Sequence, residues 1–510
     1  MNFEEKTFVI AAAQGIQNPS NANSHGRNSK AGKPHKPLIN AMDQFIENEN
    51  AESFILALPG ANVGEKELDE YFREERDDLY MDTSAQKRLY AERRKENIRR
   101  INNNNNMHWF WDDIPTYKYP TLNSKKLNSK IGIIEPKVPP QNEDPITGNQ
   151  DLPRDYFGRS VVMAHSKQRF KSIPKDHAGR HPRILMTTGG ITHPSYNETN
   201  SRGSKAARHH QYGFAVVDVL SPTLYLPRLV PARKDGTFVD LGNKYSPGKD
   251  PEYVKTKALI LGDLHHPFED EISMQASFEQ IDELKPEQVF AHDFIDFYSI
   301  AHHNLDDDVW QMWLAEKGSE KIGDADSLES ELEYGYSKLV EMAERVGSGT
   351  LYVVPSNHDN FVHKWLAKGE YRKDRKNMRM GAKIVSDYKM DDSPLEIGLR
   401  QIGKIPDNVN FLSIMDDMRP WGYQCSAHGD LGINGARGGI KGFALSYGKG
   451  IMGHSHQLEI LGNAISVGTN SEIPLDYQKG RPSTSMHGNA VIYDGGLAQA
   501  IPIINGRWRK

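Results

Sequence analysis

Five short stretches in the second half of the chain gather residue types that bind divalent cations. In order they are Gly262-Asp263-Leu264-His265, His292-Asp293-Phe294-Ile295-Asp296, Ser356-Asn357-His358-Asp359, Ala427-His428-Gly429-Asp430 and Gly453-His454-Ser455-His456. In an extended segment Asp263 and His265 would point the same way and could grip one ion. Asp293 stands where one carboxylate can bridge two cations, with Asp296 behind it. Asn357 offers a neutral carbonyl oxygen, His358 can meet a substrate oxygen, and Asp359 can orient that imidazole. His454 and His456 flank one residue, so in extended chain each imidazole can take a different ion, and Gly453 leaves the ions room. Taken singly, each stretch suits a turn or an acidic loop cap equally well. Five in one order, each closing a strand or loop, are hard to obtain by accident.

The elements that position them alternate after Pro251 between apolar strands and amphipathic helices, which is α/β architecture. Strands are expected at residues 258–261, 289–291 and 351–354, each followed by one of the motifs, and at 465–467 and 491–493 near the end. One helix is plain from its spacing: Leu328, Leu332, Leu339, Met342 and Val346 share a face, Asp326 or Ser327 can cap its start, and Gly347 closes it. Nearer the N-terminus a small βαβ unit is expected from strands at 8–13 and 54–58 around a helix at 38–45, with a polar loop over 14–35. A basic helical stretch at 86–100 runs into an Asn tract at 102–106 and the aromatics Trp109, Phe110 and Trp111, and short strands follow at 184–186, 214–219 and 224–230. We read residues 1–245 as one or two mixed α+β accessory domains and 250–510 as the catalytic domain.

With 510 residues the chain exceeds what a single core organises, so at least two domains are expected. A hydrophobic content of 37 % beside 26 % charged residues, with no apolar run long enough for a bilayer, describes a globular protein outside the membrane. Residues 1–6 lack the basic start and apolar core of a secretory signal, so a cytoplasmic location is expected. The single cysteine, Cys425, excludes an intrachain disulfide and a thiolate cluster, leaving His, Asp, Glu and Asn to build any metal site. A net charge of -5 gives no global attraction to polyanions, so nucleic-acid binding must rest on local basic patches.

Together the five stretches resemble the calcineurin-like metallophosphoesterase superfamily, whose pattern is Asp-x-His, Gly-Asp-x-x-Asp, Gly-Asn-His-Asp/Glu, His and Gly-His-x-His. The resemblance covers residues 254–505 and implies a four-layer sandwich, two β-sheets packed together with helices on both outer faces. It implies that one metal is held by Asp263, His265, Asp293 and His456, and a second by Asp293, Asn357, His428 and His454, with His358 as the catalytic histidine and Asp359 its orienting partner. Two departures stand out: His292 and Ser356 replace the glycines that precede the bridging Asp and the Asn. Phe297 stands where the family's Ser/Thr phosphatases carry an Arg, which removes a bidentate phosphate clamp and argues against phosphoprotein substrates. Ligands without sulfur suggest two divalent cations, manganese first, with iron, zinc or magnesium as alternatives.

Nucleic acid is the expected substrate. The chain is similar to SbcD-type nucleases in its Asp-containing third motif, and to phage-encoded metallophosphoesterases, early DNases among them, in its long N-terminal stretch and the loop Gly435-Ala436-Arg437-Gly438-Gly439. A phage origin would place it in the host cytoplasm. Residues 364–383 carry Lys364, Lys368, Arg372, Lys373, Arg375, Lys376, Arg379 and Lys383, which can track a phosphate backbone or simply form a solvated face. Arg437, His302 and His303 are further candidate substrate contacts, while His193, His209 and His210 lack ligand spacing for a third metal. The alternatives are a small-molecule or nucleotide phosphodiesterase with the same ligands, and a non-catalytic scaffold. The N-terminal half is left to supply any cap, homo-oligomer contact or partner binding.

Overall fold

A computed structural model describes residues 3–14, 32, 34–58, 124–134, 138–155, 158–174, 181–196, 198, 200–301, 327–389, 393–475, 478 and 482–510. The loop at 15–31, the basic stretch at 86–100, the Asn tract, the aromatics at 109–111, and His302 and His303 lie outside these residues. The chain forms two compact units, one of Met1–Lys171, Arg183–Tyr253 and Lys510, the other of Ser172–Pro182 and Val254–Arg509. Both mix α and β structure, and no described helix is long and apolar enough to cross a membrane.

In the first unit, β1 (Lys6–Ala13), α1 (Lys36–Asn48) and β2 (Glu52–Ala57) form the expected βαβ unit, with β1 and β2 parallel. Pro37 in the first turn and the His35 ring, which accepts the Leu38 N–H at 3.1 Å, start α1. Its apolar face, Leu38, Ala41, Met42 and Phe45, packs on Val9, Phe214, Val216 and Phe238. A second sheet contains β3 (Ser124–Lys126), β4 (Ile131–Ile134), β5 (Ser160–Met163), β6 (Arg169–Ile173) and β7 (Arg183–Thr187), in the order β6-β7-β5-β4-β3. Helix α2 (Ser201–Arg208) precedes β8 (Gly213–Val219) and β9 (Tyr225–Pro231), which extend the first sheet to β2-β1-β8-β9. The meander β10 (Phe238–Asp240), β11 (Asn243–Ser246) and β12 (Lys249–Tyr253) completes the unit. Arg228 is buried here between Asp218 and Asp240, a fully paired ionic triad.

The second unit is organised around β13 (Thr256–Ile260), β14 (Gln288–Ala291), β15 (Thr350–Val353) and β16 (Val409–Phe411), all parallel. Parallel strands buried on both faces need helical crossovers. These are α3 (Glu271–Leu284) between β13 and β14, α4 (Leu328–Val346) before β15, and α5 (Asp359–Ala367), α6 (Met378–Asp387) and α7 (Pro394–Ile402) before β16. Asp270, Ser327 and Ser393 cap α3, α4 and α7 through their side chains. The α4 stripe of Leu328, Leu332, Leu339, Met342 and Val346 is buried and Gly347 ends the helix at φ 61, as the spacing indicates. Next come α8 (Ile440–Tyr447) and β17 (Lys449–Met452), β18 (Glu459–Leu461) and β19 (Asn463–Ser466), in the order β17-β19-β18. The final hairpin, β20 (Gly488–Tyr493) and β21 (Ala498–Pro502), joins the larger sheet antiparallel beside β13, giving β16-β15-β14-β13-β20-β21.

Candidate metal centre

The carboxyl ends of β13, β14 and β15, the loop that carries His428 and the turns after β17 deliver the motif side chains to one buried cage. Asp293 Oδ2 stands 3.6 Å from His265 Nε2 and 3.1 Å from His428 Nε2, so one oxygen faces both imidazoles. His456 Nε2 lies 2.9 Å from His265 Nε2 and 3.3 Å from Asp263 Oδ2. On the other side, Asn357 Oδ1 sits 2.9 Å from His454 Nδ1 and 3.1 Å from His428 Nε2. Asp263, His265, Asp293 and His456 each offer a ligand atom within 4.8 Å of the others.

Ligand-type atoms packed this closely could hold a cation. Both carboxylate oxygens of Asp263 and Oδ1 of Asp293 are buried and accept no hydrogen bond. A Cβ at Gly453 would lie 2.2 Å from Asp263 Oδ1, so only glycine lets that carboxylate occupy its place. Charge follows the same arrangement. Burial pushes the Asp263 carboxyl up to about 7. On Asp293 burial is outweighed by the positive charge of His428 and His358, and its carboxyl is held well below the usual range. For His428 burial is overcome by the charge of Asp293, which lifts the imidazole to about 9, while burial drives His456 well down. Without a cation the cage collects protons that an ion would displace.

The backbone that aims these groups is not the extended chain expected from the motif spacing. His265, Asp293, His454 and His456 have φ of 54, 43, 70 and 53, and Phe297 follows at 57. Such left-handed residues cost of order 1–3 kcal/mol each outside glycine. The same-side arguments for Asp263 with His265 and for His454 with His456 therefore give way to turns, which rotate each side chain inward where a straight strand would keep it in the sheet's own register. Hydrogen bonds buttress the strained segments: Leu264 N–H and His265 N–H donate to His292 O and Asp293 O, and the Thr469 hydroxyl and Asn470 N–H donate to Asp263 O at 2.8 Å.

His358 is held otherwise than its sequence neighbours imply. Its Nδ1 donates to Asp296 O at 2.6 Å, and the Asp296 carboxylate, 3.8 Å away, also accepts from His265 Nδ1 at 2.9 Å. Asp359, expected to orient His358, accepts the Ser356 N–H at 2.8 Å and so pins the turn instead. Burial raises the Asp359 carboxyl to about 7.

Other candidates take peripheral places. Arg372 and Lys376 are exposed, the former bonded to the Tyr371 hydroxyl at 3.3 Å, and neither belongs to the cage. The apolar side of their segment, Trp365, Tyr371, Met380 and Ile384, is buried, which gives an amphipathic element with a basic outer face. Arg437 is exposed, and burial, with the charge of His428 and to a smaller extent that of Arg437, lowers the proton affinity of His454. In the first unit, His210 is tied to Tyr196 and Thr192 O, and His209 to Glu143.

One contributor escaped the sequence reading. Glu331 is fully buried and accepts from Tyr298 N–H at 2.7 Å, Ser299 N–H at 3.1 Å and the Ser299 hydroxyl, which anchors the turn that carries Asp296. Burial pushes its carboxyl up to about 8. The available signal was its position within the apolar stripe of α4, between Leu328 and Leu332.

No protein-family profile and no solved structure matches the chain. Over 394 residues it is 27 % identical to Protein A1 of Escherichia phage T5, an alignment that covers 74 % of this chain and 68 % of that protein. The chain is thus similar to a phage protein and carries a buried Asp/His group that could hold a metal ion.

Proposed function

We propose that the protein is a dinuclear metal-dependent phosphodiesterase of the calcineurin-like type that hydrolyses nucleic acid, DNA first. The observation that carries this reading is the single oxygen Asp293 Oδ2 facing His265 on one side and His428 on the other. That is the placement a carboxylate needs to be shared between two ions. Asp263, His265 and His456 would complete one position and Asn357, His428 and His454 the other. Carboxylate, imidazole and amide donors without sulfur suit manganese, with iron, zinc or magnesium as alternatives. The four parallel strands of one sheet and the strands β17-β19-β18, which belong to another, are consistent with the two sheets of a metallophosphoesterase sandwich.

Bound there, two divalent cations would supply the charge that acidifies a water and polarises a phosphoryl oxygen. The chain's own groups do the rest. With Nδ1–H engaged by Asp296 O, His358 has only Nε2 to offer a substrate. As an imidazolium it can hand that proton to the leaving oxygen, a contribution of roughly 10²- to 10⁴-fold. Asp296 fixes both His358 and His265, and Glu331 fixes the turn that carries Asp296. Nucleic acid is favoured over a small ester by two features: exposed Arg437, whose charge is felt at His454, and the basic outer face that follows His358 in sequence. The similarity to a phage protein fits a role in a host cell. The first unit would then act as the accessory part, for substrate, partner or self-association contacts.

The deciding experiment is incubation of the protein with plasmid DNA and manganese. Metal-dependent loss of DNA, abolished by Asp293→Ala, supports the proposal. Intact DNA alongside rapid turnover of a small aryl phosphodiester would transfer the assignment to a small-molecule phosphodiesterase, and no turnover of either would leave a scaffold.

A further inference from the structure

His292 is a fully buried histidine where the motif would carry a glycine, and its ring touches the cage from outside. Its Nδ1 lies 3.3 Å from Nδ1 of His428, with the ring centroids 5.5 Å apart and the planes 29° from parallel. The opposite nitrogen of His428, Nε2, faces inward, 3.1 Å from both Asp293 Oδ2 and Asn357 Oδ1. We propose that His292 is a positioning residue for the cation that His428 binds: its Nδ1 accepts the Nδ1–H of His428 and so fixes which nitrogen of that ring is free to ligate. The inference rests on the metal reading above.

Proton placement follows from counting. A neutral imidazole carries one N–H, and a nitrogen that ligates a cation must present its lone pair. With Nε2 of His428 turned to the cage, the proton sits on Nδ1 and needs an acceptor. Asp263 Oδ1 is 4.0 Å away, beyond hydrogen-bond reach, which leaves His292 Nδ1. His292 must then carry its own proton on Nε2, and that atom is buried without a hydrogen-bond partner. An unpaired buried donor costs of order 1–3 kcal/mol, an expense a purely space-filling side chain at this position would avoid. Room for the ring is made by Gly453, where a Cβ would stand 3.0 Å from the His292 Cβ, and Gly453 N–H donates to His428 O at 2.9 Å. The same glycine therefore admits both the Asp263 carboxylate and the second imidazole. Partners of this kind fix the ligand's tautomer and raise its basicity, and their loss weakens metal binding by roughly 10- to 100-fold.

The test uses the full chain, stripped of metal and titrated with Mn²⁺ alone while free Mn²⁺ is counted by electron paramagnetic resonance. His292→Asn and His292→Leu share one branched shape, but only Asn puts an acceptor at the δ position. The expected result is that Leu weakens one of two Mn²⁺ affinities by roughly 10- to 100-fold and leaves the other, while Asn stays near wild type. Equal affinities in Leu and wild type, or an Asn variant as weak as Leu, overturn the proposal. Should the Leu variant not fold, long-range ¹⁵N–¹H spectra of the Zn²⁺-loaded wild-type protein decide: His292 protonated on Nε2 supports the proposal, and protonation on Nδ1 overturns it. A wild-type chain that binds no divalent cation overturns the metal reading itself, which separates the two failures.

Discussion

The Asp296 carboxylate accepts the Nδ1–H of His265 at 2.9 Å, so the only nitrogen His265 can turn into the cage is Nε2. Removing that acceptor frees the ring to rotate and to change tautomer. Asp296→Ala is therefore expected to weaken metal retention by roughly 10- to 100-fold. Asn, which keeps one acceptor oxygen, should lose less. Cation content after dialysis against a weak chelator measures both, and an Ala variant that retains metal as well as the wild type would show that the pair is dispensable.

Variants of Asp293 and His358 should separate binding from chemistry. Asp293→Ala deletes the oxygen shared by His265 and His428, and both cation content and turnover should fall to background. His358→Ala leaves every cage ligand in place, so cation content should be unchanged while turnover drops roughly 10²- to 10⁴-fold. Measuring the two quantities on the same preparations tests the division. Loss of metal from the His358 variant would make that residue a ligand and not a proton donor.

The cage residues stand out in sequence because four of the five motifs sit where a strand ends, and an apolar run followed by Asp, His or Asn needs no tertiary information to be noticed. How these side chains are aimed could not be read. Asp, His and Asn tolerate left-handed backbone better than most residues, but nothing in Asp263-Leu264-His265 announces that His265 adopts it. For the same reason Asp359, adjacent to His358 in sequence, looked like its partner, whereas the turn directs its carboxylate to Ser356 N–H and leaves the backbone of Asp296 to His358. His292 registered only as a missing glycine. Its relation to His428 spans 136 positions and exists only after folding.

Acid should dissolve one specific support of this architecture. The Glu269 side chain is largely shielded, which opposes ionisation, but its hydrogen bond to His266 at 3.0 Å, the charge of that ring and the Tyr334 hydroxyl pull its carboxyl from 4.5 down to about 2. Between those values the unfolded chain binds more protons than the folded one, so stability rises with pH across the window. The contribution, about 3 kcal/mol by the usual conversion of pKa to free energy, is complete above pH 4.5 and lost as pH falls toward 2. Denaturant midpoints of the wild type and Glu269→Gln should converge as pH drops through this range. Parallel curves would show that the ion pair adds nothing.

In the first unit, Arg228 between Asp218 and Asp240 tests what a buried ionic group contributes. Asp240→Ala removes the bidentate partner and leaves a buried guanidinium half satisfied, a change expected to cost about 3–5 kcal/mol. Replacing the whole triad with apolar residues of similar volume should cost far less, because no charge is then stranded. Thermal unfolding of the two variants compares them directly, and equal losses would mean that packing, not charge, dominates there.

The second unit reaches back in sequence for Ser172–Pro182, and this predicts how a fragment truncated to residues 254–510 behaves. Gln457 donates to Ser172 O at 2.8 Å, the Ser172 hydroxyl donates to Thr484 O at 2.7 Å, and His181 pairs with Asn505 at 3.0 Å. Gln457 follows His456 directly, so the borrowed segment supports the turn that presents a cage ligand. A fragment of residues 254–510 lacks all three contacts and should melt lower and bind metal more weakly than one that includes the segment. A synthetic peptide of residues 168–184 should raise its midpoint in a concentration-dependent way, because a partner that binds only the folded form stabilises it by mass action. A midpoint indifferent to the peptide would show that the fragment does not depend on this segment.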